Sequence, residues 1–212
     1  MEKSYTKIYT TGATVPLKIR PGHFANHAHI NYYIDVTTLK ARTKEAEEVA
    51  QALVGMYLYD TVIDTIVCME GTEVIGAFLA EELAKGGFLS TNAHKSIYVI
   101  SPEFNNNSQI IFRDNLIPMI RDKHVMILMA SVTTGRTLNK AVESIQYYGG
   151  ILQGASAIFS AMDSLDGVPI KSVFGKKDLP DYTYSDYRDC PLCKAGKKID
   201  ALVNTFGYSP MG

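Results

Sequence analysis

Short apolar runs alternate with helical patterns through the middle of this 212-residue chain. DTIVCM at Asp64–Met69 and VMILMA at Val125–Ala130 are bounded by polar residues, as the buried strands of a parallel sheet are. Thr43–Leu58 precedes the first run and has the apolar spacing of a helix. Because neighbouring parallel strands need a crossover between them, this alternation predicts an α/β fold, a parallel sheet flanked by helices on both faces.

The rest of the chain extends this pattern. Residues 1–35 lack a clean period and have turn signals at Thr11-Gly12 and Pro21-Gly22, so we expect irregular structure with short strands there. The other predicted elements are a helix at 74–87 ending at Gly86-Gly87, a strand at Ser96–Ser101, a polar loop around Asn105–Asn107, a helix from Arg136 to about Tyr148 closed by Gly149-Gly150, and apolar runs at Ala155–Ala161 and Ile170–Phe174.

The segment SVTTGRT, Ser131–Thr137, joins an apolar run to a helical pattern. The first amides of a helix lack internal partners and carry the positive end of the helix dipole, so an oxyanion fits such a junction. The predicted phosphate-binding residues are Ser131, Thr133, Thr134, Gly135, Arg136 and Thr137. The alternative is an ordinary helix N-cap, because Ser, Thr and Gly are favoured there without any ligand.

A second loop, EGTE at Glu70–Glu73, follows the strand predicted at Asp64–Met69. Ligands of parallel α/β sheets bind at the carboxyl ends of the strands, and both loops fall there. The two loops are therefore predicted to form a single site.

Charge and composition exclude several classes of partner. The formal net charge is −1 with acids and bases interspersed, so no nucleic acid partner is expected. No apolar run reaches the roughly 18 residues that span a bilayer, and the start is too polar for a signal peptide, so we expect a cytoplasmic protein without a membrane partner. Three cysteines are too few for a secreted disulfide framework, and reduced thiols are expected.

Three segments resemble one known family. GHFANHAHINYYIDVTTL at Gly22–Leu39 is similar to the N-terminal segment of the orotate phosphoribosyltransferases, a branch of the type I phosphoribosyltransferases. SVTTGRT is similar to that family's loop for the 5-phosphate of phosphoribosyl pyrophosphate, and CPLC at Cys190–Cys193 is similar to a segment of its tail. The resemblance implies a homodimer and a single domain, residues 1–212, with a small N-terminal hood (1–38), a core (39–177) and a C-terminal tail (178–212).

The chain departs from this family at its charged positions. The acidic pair that precedes the family's phosphate loop is replaced by Met129 and Ala130, which cannot accept a hydrogen bond from ribose or stabilise a cationic transition state. The mobile basic loop corresponds to SPEFNNNSQIIF at Ser101–Phe112, which contains no base. The lysine usual in the N-terminal segment is replaced near His29.

In the family, the loop at the position of EGTE contacts pyrophosphate. The resemblance therefore implies a pyrophosphate loop at Glu70, Gly71, Thr72 and Glu73. Two carboxylates would repel phosphates unless a metal or a lysine intervened. The alternative, which we favour, is that Glu73 is the first-turn acid of the next helix.

We expect the ligand to be a phosphorylated ribose or a nucleotide, bound at SVTTGRT with weakened or lost transfer activity. The alternative is an active transferase that moves phosphoribose onto an orotate-like base with magnesium, which Glu70 or Glu73 would recruit. No organic cofactor is expected, and no catalytic residue is assigned.

Two further groups of residues leave alternatives open. His23, His27 and His29, with Cys190 and Cys193, could supply four zinc ligands if the two ends of the chain meet. Loop histidines and a turn at CPLC are the commoner arrangement, so no metal ligand is assigned. The tyrosines of the tail could stack on a base or line a dimer contact, of which we favour the second; they are Tyr182, Tyr184 and Tyr187.

Overall fold

The structure is a computed structural model that describes residues 5–85, 90–93, 96–204 and 207–211. Two six-stranded sheets form most of the described structure, a core sheet in the middle of the chain and a hood sheet built from both ends, and a third sheet has only two strands. The strands are β1 (Thr6–Ile8), β2 (Leu17–Ala25), β3 (His29–Asp35), β4 (Thr65–Cys68), β5 (Tyr98–Ile100), β6 (Glu103–Phe104), β7 (Ile110–Ile111), β8 (His124–Val132), β9 (Ile151–Ser160), β10 (Ser164–Leu165), β11 (Val168–Gly175), β12 (Tyr184–Ser185), β13 (Ala201–Asn204) and β14 (Gly207–Pro210).

The core sheet confirms the predicted α/β class. Its order is β10-β11-β9-β8-β4-β5, and every pairing is parallel except that of β10 with β11. Successive residues of β4 point to opposite faces, so Ile66 belongs to one apolar cluster and Val67 to another. Both faces of the sheet are therefore buried, as a near-continuous apolar strand sequence requires.

Helices cover the two faces of the core sheet. They are α2 (Thr43–Val54), α3 (Glu73–Lys85) and α4 (Arg136–Tyr147), and the short helix α1 (Thr37–Ala41) precedes α2. The short helix α5 (Pro191–Lys194) lies in the tail beside the hood. Leu53 of α2 and Leu79 of α3 are fully buried in the Ile66 cluster, whereas Leu138 of α4 is buried in the Val67 cluster. The helix predicted at Thr43–Leu58 ends at Val54, and residues 55–60 form turns. The predicted helix end at Gly86-Gly87 lies outside the described residues.

The hood sheet corrects the prediction for residues 1–35. In place of irregular structure, β2 and β3 form a long antiparallel hairpin. Thr11-Gly12 is a turn as predicted, but Pro21-Gly22 lies inside β2, where a shift of register between Pro21 and Phe24 marks a bulge. A bulge uses the same Pro and Gly residues as a turn, which is why the local sequence misleads.

The C-terminal tail completes the hood. β13 pairs in parallel with β2, and β12 pairs antiparallel with β3, so the order of the sheet is β12-β3-β2-β13-β14. The hood is thus not built from the N-terminal segment alone. The predicted polar loop around Asn105–Asn107 is the tip of a two-stranded hairpin, β6 and β7. Within the described parts of the chain, no helix combines the length and hydropathy that crossing a membrane requires.

A close approach of α3 to β4 provides a test of this packing. A Cβ atom placed on Gly76 would clash with the Cys68 sulfur and lie 3.1 Å from Val99 Cγ1. We expect Gly76→Val to destabilise the fold by about 1–3 kcal/mol, because overpacking forces strain into a closely packed core. At this chain length the melting temperature falls by roughly 2–4 °C per kcal/mol, as thermal unfolding monitored by circular dichroism will measure.

The matched control is Gly55→Ala. Gly55 has helical φ and ψ, and no atom lies within 4 Å of its Cβ position. The melting temperature of the Gly55→Ala variant should therefore equal that of the wild type or be slightly higher. Equal stability of the Gly76 and Gly55 variants would contradict the packing of α3 on β4.

Candidate functional site

A cavity of about 140 Å³ lies between the hood and the carboxyl ends of the core strands. A cavity for a single water needs roughly 10–15 Å³, so this cavity has room for a small organic molecule. Four regions line it: the turn and second strand of the hood hairpin with α1, the ends of β4 and β8, the loop from β8 into α4, and the tail. The residues are Asn26, His27, Ala28, Ile30, Tyr33, Ile34, Val36, Thr37, Lys40, Glu70, 129–138, Tyr182, Val203, Asn204 and Gly207.

The loop at Ser131–Thr137 forms one wall of this cavity. β8 ends at Val132 and α4 begins at Arg136, with Gly135 between them in the left-handed conformation (φ 75°). A Cβ atom on Gly135 would lie 2.6 Å from Leu165 Cδ2, so a side chain here would displace Leu165 and strain the left-handed backbone that glycine adopts freely. All six residues predicted to bind phosphate line the cavity.

A tyrosine from the tail contacts this loop. The hydroxyl groups of Thr133 and Tyr182 are 3.0 Å apart, and Tyr182 is 5% exposed. Burial raises the pKa of Tyr182 to about 12, so the phenol stays neutral. Tyr182 was expected at a dimer contact with the other tail tyrosines, and the structure places it in the cavity instead. No local motif indicates this, because the contact joins residues 49 positions apart.

Glu70 brings a carboxylate beside the loop at Ser131–Thr137. The Ser131 amide donates to Glu70 Oε2 at 3.3 Å, and Glu70 itself has a left-handed backbone (φ 61°). Burial raises the pKa of Glu70, while the backbone amides of Ser131 and Ala130 and the charge of Lys40 act in the opposite direction. The arrangement therefore disfavours the charged carboxylate at a place where a phosphate would add further negative charge.

Lys40 is a cation that the sequence analysis did not identify. Its Nζ donates to the Glu70 carbonyl oxygen at 2.6 Å, and its side chain lines the cavity from α1. Burial lowers the pKa of Lys40, and the nearby carboxylates, first Glu70, oppose this shift. The segment TTLKA contains no phosphate-binding signature, so only the tertiary contact indicates a role.

The other residues of EGTE lie outside the cavity lining. The Thr72 hydroxyl donates to the carbonyl oxygens of Met69 and Leu128, so it joins β4 to β8. Glu73 is exposed, begins α3, and accepts a hydrogen bond from Ser101 Oγ at 2.7 Å. This is the helix-start role that the alternative interpretation predicted.

Two parts of the chain correspond to the acidic pair and the basic loop of the resembled family. Met129 and Ala130 are buried and line the cavity next to Ser131. The segment 101–112 folds as the β6–β7 hairpin beside α4, where Ser144 Oγ donates to the Ile110 carbonyl oxygen at 3.0 Å. None of residues 101–112 lines the cavity.

The described fold is similar to several solved structures. The orotate phosphoribosyltransferase of Mycobacterium tuberculosis matches with a TM-score of 0.52 and 15% identity, over 77% of this chain and 92% of that chain. The UMP synthase of Leishmania donovani matches with a TM-score of 0.55 and 18% identity, over 76% of this chain and 34% of that chain. An adenine phosphoribosyltransferase of Thermoanaerobacter pseudethanolicus matches with a TM-score of 0.51 and 16% identity, over 68% of this chain and 88% of that chain.

The chain has a type I phosphoribosyltransferase fold. No protein-family model and no curated protein sequence matches it. The structural similarity shows the shared fold. At 15–18% identity it does not show the activity, which has to be argued from the site.

Outside the cavity of this phosphoribosyltransferase fold, four metal-ligating side chains come together. They are His23, His29, Cys190 and Cys193, whose ligand atoms all lie within 4.8 Å of one another. His27, the third histidine of the segment, lines the cavity and is not in this group. CPLC also differs from the expected turn, because Cys190 caps the short helix α5.

The raised pKa of Glu70 predicts a specific pH dependence of stability. A carboxyl group whose pKa is higher in the folded than in the unfolded state destabilises the fold as pH rises from the unfolded value, near 4.5, through the folded value. Glu70→Gln removes this cost. We expect it to melt at a higher temperature than the wild type at pH 8, with a difference that shrinks towards pH 4.

Glu73→Gln is the matched control, because Glu73 is exposed and outside the cavity. It should not melt at a higher temperature than the wild type at pH 8, because Glu73 begins α3 and its side chain accepts a hydrogen bond from Ser101. A Glu70 variant that is less stable than the wild type at pH 8 would show that the carboxylate is ionised and stabilising.

Proposed function

We propose that this protein binds the 5-phosphate of a phosphoribosyl compound or nucleotide at Ser131–Thr137, with transfer activity weakened or lost. The observation that carries the proposal is that all six predicted phosphate-binding residues face one cavity at the start of α4. The amides of such a turn and the helix dipole favour an anion. The hydroxyl groups of Thr133, Thr134 and Thr137 can donate further hydrogen bonds to a phosphate without a change in the fold.

The charges around the cavity support an anionic ligand. Lys40 and Arg136 supply two cations, whereas Glu70 is the one Asp or Glu among the described lining residues. Arg136 is exposed at the helix start, where its guanidinium is accessible to a phosphate. Burial raises the pKa of Glu70, and a bound phosphate would raise it further, which lessens the repulsion between the carboxyl group and the phosphate.

The case for weakened transfer rests on the neighbouring residues. Met129 and Ala130 present apolar groups where ribose hydroxyls would lie beyond a phosphate at the 131–137 loop. Pyrophosphate needs cations or metal as its charge develops, and the base-free hairpin β6–β7 is outside the cavity. Removing one such electrostatic contact typically costs about 2.7–4 kcal/mol of barrier, so the losses together suppress turnover strongly.

One observation favours the second candidate, an active nucleobase phosphoribosyltransferase that uses phosphoribosyl pyrophosphate and magnesium. The Glu70 carboxylate lies beside Ser131, next to the positions of the missing acidic pair. A carboxylate there could hold magnesium or a ribose hydroxyl from the opposite loop. Glu73 has no such position, so this candidate depends on Glu70 alone. The cytoplasmic location and the homodimer stay predictions under either candidate.

Ligand binding is tested by thermal shift. Ribose 5-phosphate, phosphoribosyl pyrophosphate or a nucleoside monophosphate should raise the melting temperature of the wild type, because a ligand that binds only the folded state stabilises it. A saturating ligand at 100 times its dissociation constant contributes about 2.7 kcal/mol, which corresponds to a rise of roughly 5–11 °C at this chain length. Arg136→Gln, an exposed change, should weaken binding about tenfold by removing one charged hydrogen bond.

A second variant localises the ligand. Gly135→Ala puts a methyl group against Leu165 and strains a left-handed turn, so the ligand-induced shift should disappear. Gly12→Ala is the control, because Gly12 is also left-handed (φ 91°) but has nothing within 4 Å of its Cβ position and lies outside the cavity lining. Each shift is measured against the melting temperature of the same variant without ligand. An undiminished shift in Gly135→Ala would place the ligand elsewhere.

Turnover separates the two candidates. Under the first, orotate-dependent release of pyrophosphate from phosphoribosyl pyrophosphate with magnesium is absent or far below an ordinary enzymatic rate of about 1–1000 s⁻¹. Glu70→Gln should then bind ribose 5-phosphate at least as tightly as the wild type, because a potential negative charge is removed. Rapid, magnesium-dependent turnover that collapses in Glu70→Gln would instead establish the second candidate.

A further inference from the structure

Two ends of the chain meet at a cluster of two imidazoles and two thiols. His23 lies in β2, His29 begins β3, Cys190 precedes α5 and Cys193 lies within α5. His23 Nε2 is 3.0 Å from His29 Nδ1, 3.6 Å from Cys190 Sγ and 3.7 Å from Cys193 Sγ. Cys193 Sγ is 3.2 Å from His29 Nδ1. Each residue thus directs one potential ligand atom to a common point.

These separations are close to the edges of a zinc tetrahedron. Bond lengths of about 2.05 Å to nitrogen and 2.3 Å to sulfur give edges of about 3.4 Å between two nitrogens and about 3.6 Å between a nitrogen and a sulfur. A hydrogen bond between the imidazoles would satisfy one pair of atoms. A metal ion would satisfy all four at once.

The surroundings of His23 orient its ring for such a role. His23 is fully buried, and its Nδ1 is 2.8 Å from the Lys197 carbonyl oxygen. A carbonyl group only accepts, so Nδ1 carries the proton and Nε2 presents its lone pair to the cluster. The His23 amide in turn donates to Asp200 Oδ2 at 2.8 Å. Metal-bound histidines typically have such a partner on the second ring nitrogen.

We propose that His23, His29, Cys190 and Cys193 bind one structural Zn²⁺. Two thiolates and two imidazoles in tetrahedral arrangement suit zinc among the common divalent ions. The spacings, two residues between the cysteines and five between the histidines, lie within those of known Cys₂His₂ sites. Four protein ligands leave no open position for substrate, so the ion serves the fold.

The ion joins the tail to the hood at one wall of the cavity. Residues 26–28, which line the cavity, form the turn between the two histidine ligands. The cysteines come from a segment more than 160 residues away, so the ion closes a long loop of chain. Zinc binding therefore fixes the hairpin turn and α5 together, independently of any ligand in the cavity.

The metal content of the purified wild-type protein tests the proposal directly. Protein prepared under reducing conditions without a metal-affinity tag should contain about one zinc ion per chain by plasma mass spectrometry. Cobalt substituted for zinc should produce the intense visible absorption of a tetrahedral site with thiolate ligands. Removal of zinc by a chelator should lower the melting temperature by something on the order of 10 °C, and added zinc should restore it.

Variants identify the ligands. Cys193→Ser and His29→Ala should each reduce zinc to well below one ion per chain. Cys68→Ala and His27→Ala are the matched controls and should keep their zinc, because Cys68 is buried in the core and His27 lies outside the cluster. Retention of zinc by both ligand variants would overturn the assignment.

Measurements on the wild type can also overturn the proposal, and they do not depend on whether a variant folds. A protein that contains no zinc, takes up neither zinc nor cobalt, and has either two freely titrating thiols or a disulfide at Cys190 and Cys193 would overturn it. None of these measurements depends on phosphate binding, so failure of the proposed function and failure of the zinc site are distinguishable.

Discussion

The parallel register between β4 and β8 determines the geometry of the candidate site. Cys68 pairs with Leu128, and the Met69 amide donates to the Leu128 carbonyl oxygen. The Thr72 hydroxyl donates to the same oxygen, so the turn after β4 is held against β8 beyond the last paired residues. This register brings Glu70 beside Ser131. A slip of one residue would exchange the two faces, separate the loops and misfit the closely packed side chains of both apolar clusters.

Within that geometry, the cavity combines the turn at the start of α4 with one acid among the described lining residues. The Lys40 ammonium group donates to the Glu70 backbone carbonyl oxygen, and the Ser131 amide donates to the Glu70 carboxylate. Burial acts against the charge of both side chains, lowering the pKa of Lys40 and raising that of Glu70. A phosphate would favour the charged lysine and the neutral acid. The site is therefore suited to an anion, while its capacity for transfer chemistry depends on the one carboxyl group.

The hood explains why both ends of the chain matter to a site in the middle. β13 pairs with β2, β12 pairs with β3, and Tyr182 reaches Thr133 from the segment between the core and β12. Phe24, Tyr33 and Ala201 form a small apolar cluster of their own within this sheet. A cluster of this size buries little surface compared with the core. An ion that joins the hairpin to the tail would stabilise the hood where apolar packing is limited.

The sequence by itself determined the α/β class, the α4 helix with its glycine start, and the apolar character of Met129 and Ala130, because these depend on periodicity and residue type over short stretches. The tertiary structure alone decided that Pro21-Gly22 is a bulge, that Tyr182 contacts Thr133 and Lys40 contacts Glu70, and that His29 meets Cys193. Contacts between residues that are distant in the chain depend on strand order and register. One sequence contains no local signal for either, since many partners satisfy the same apolar pattern.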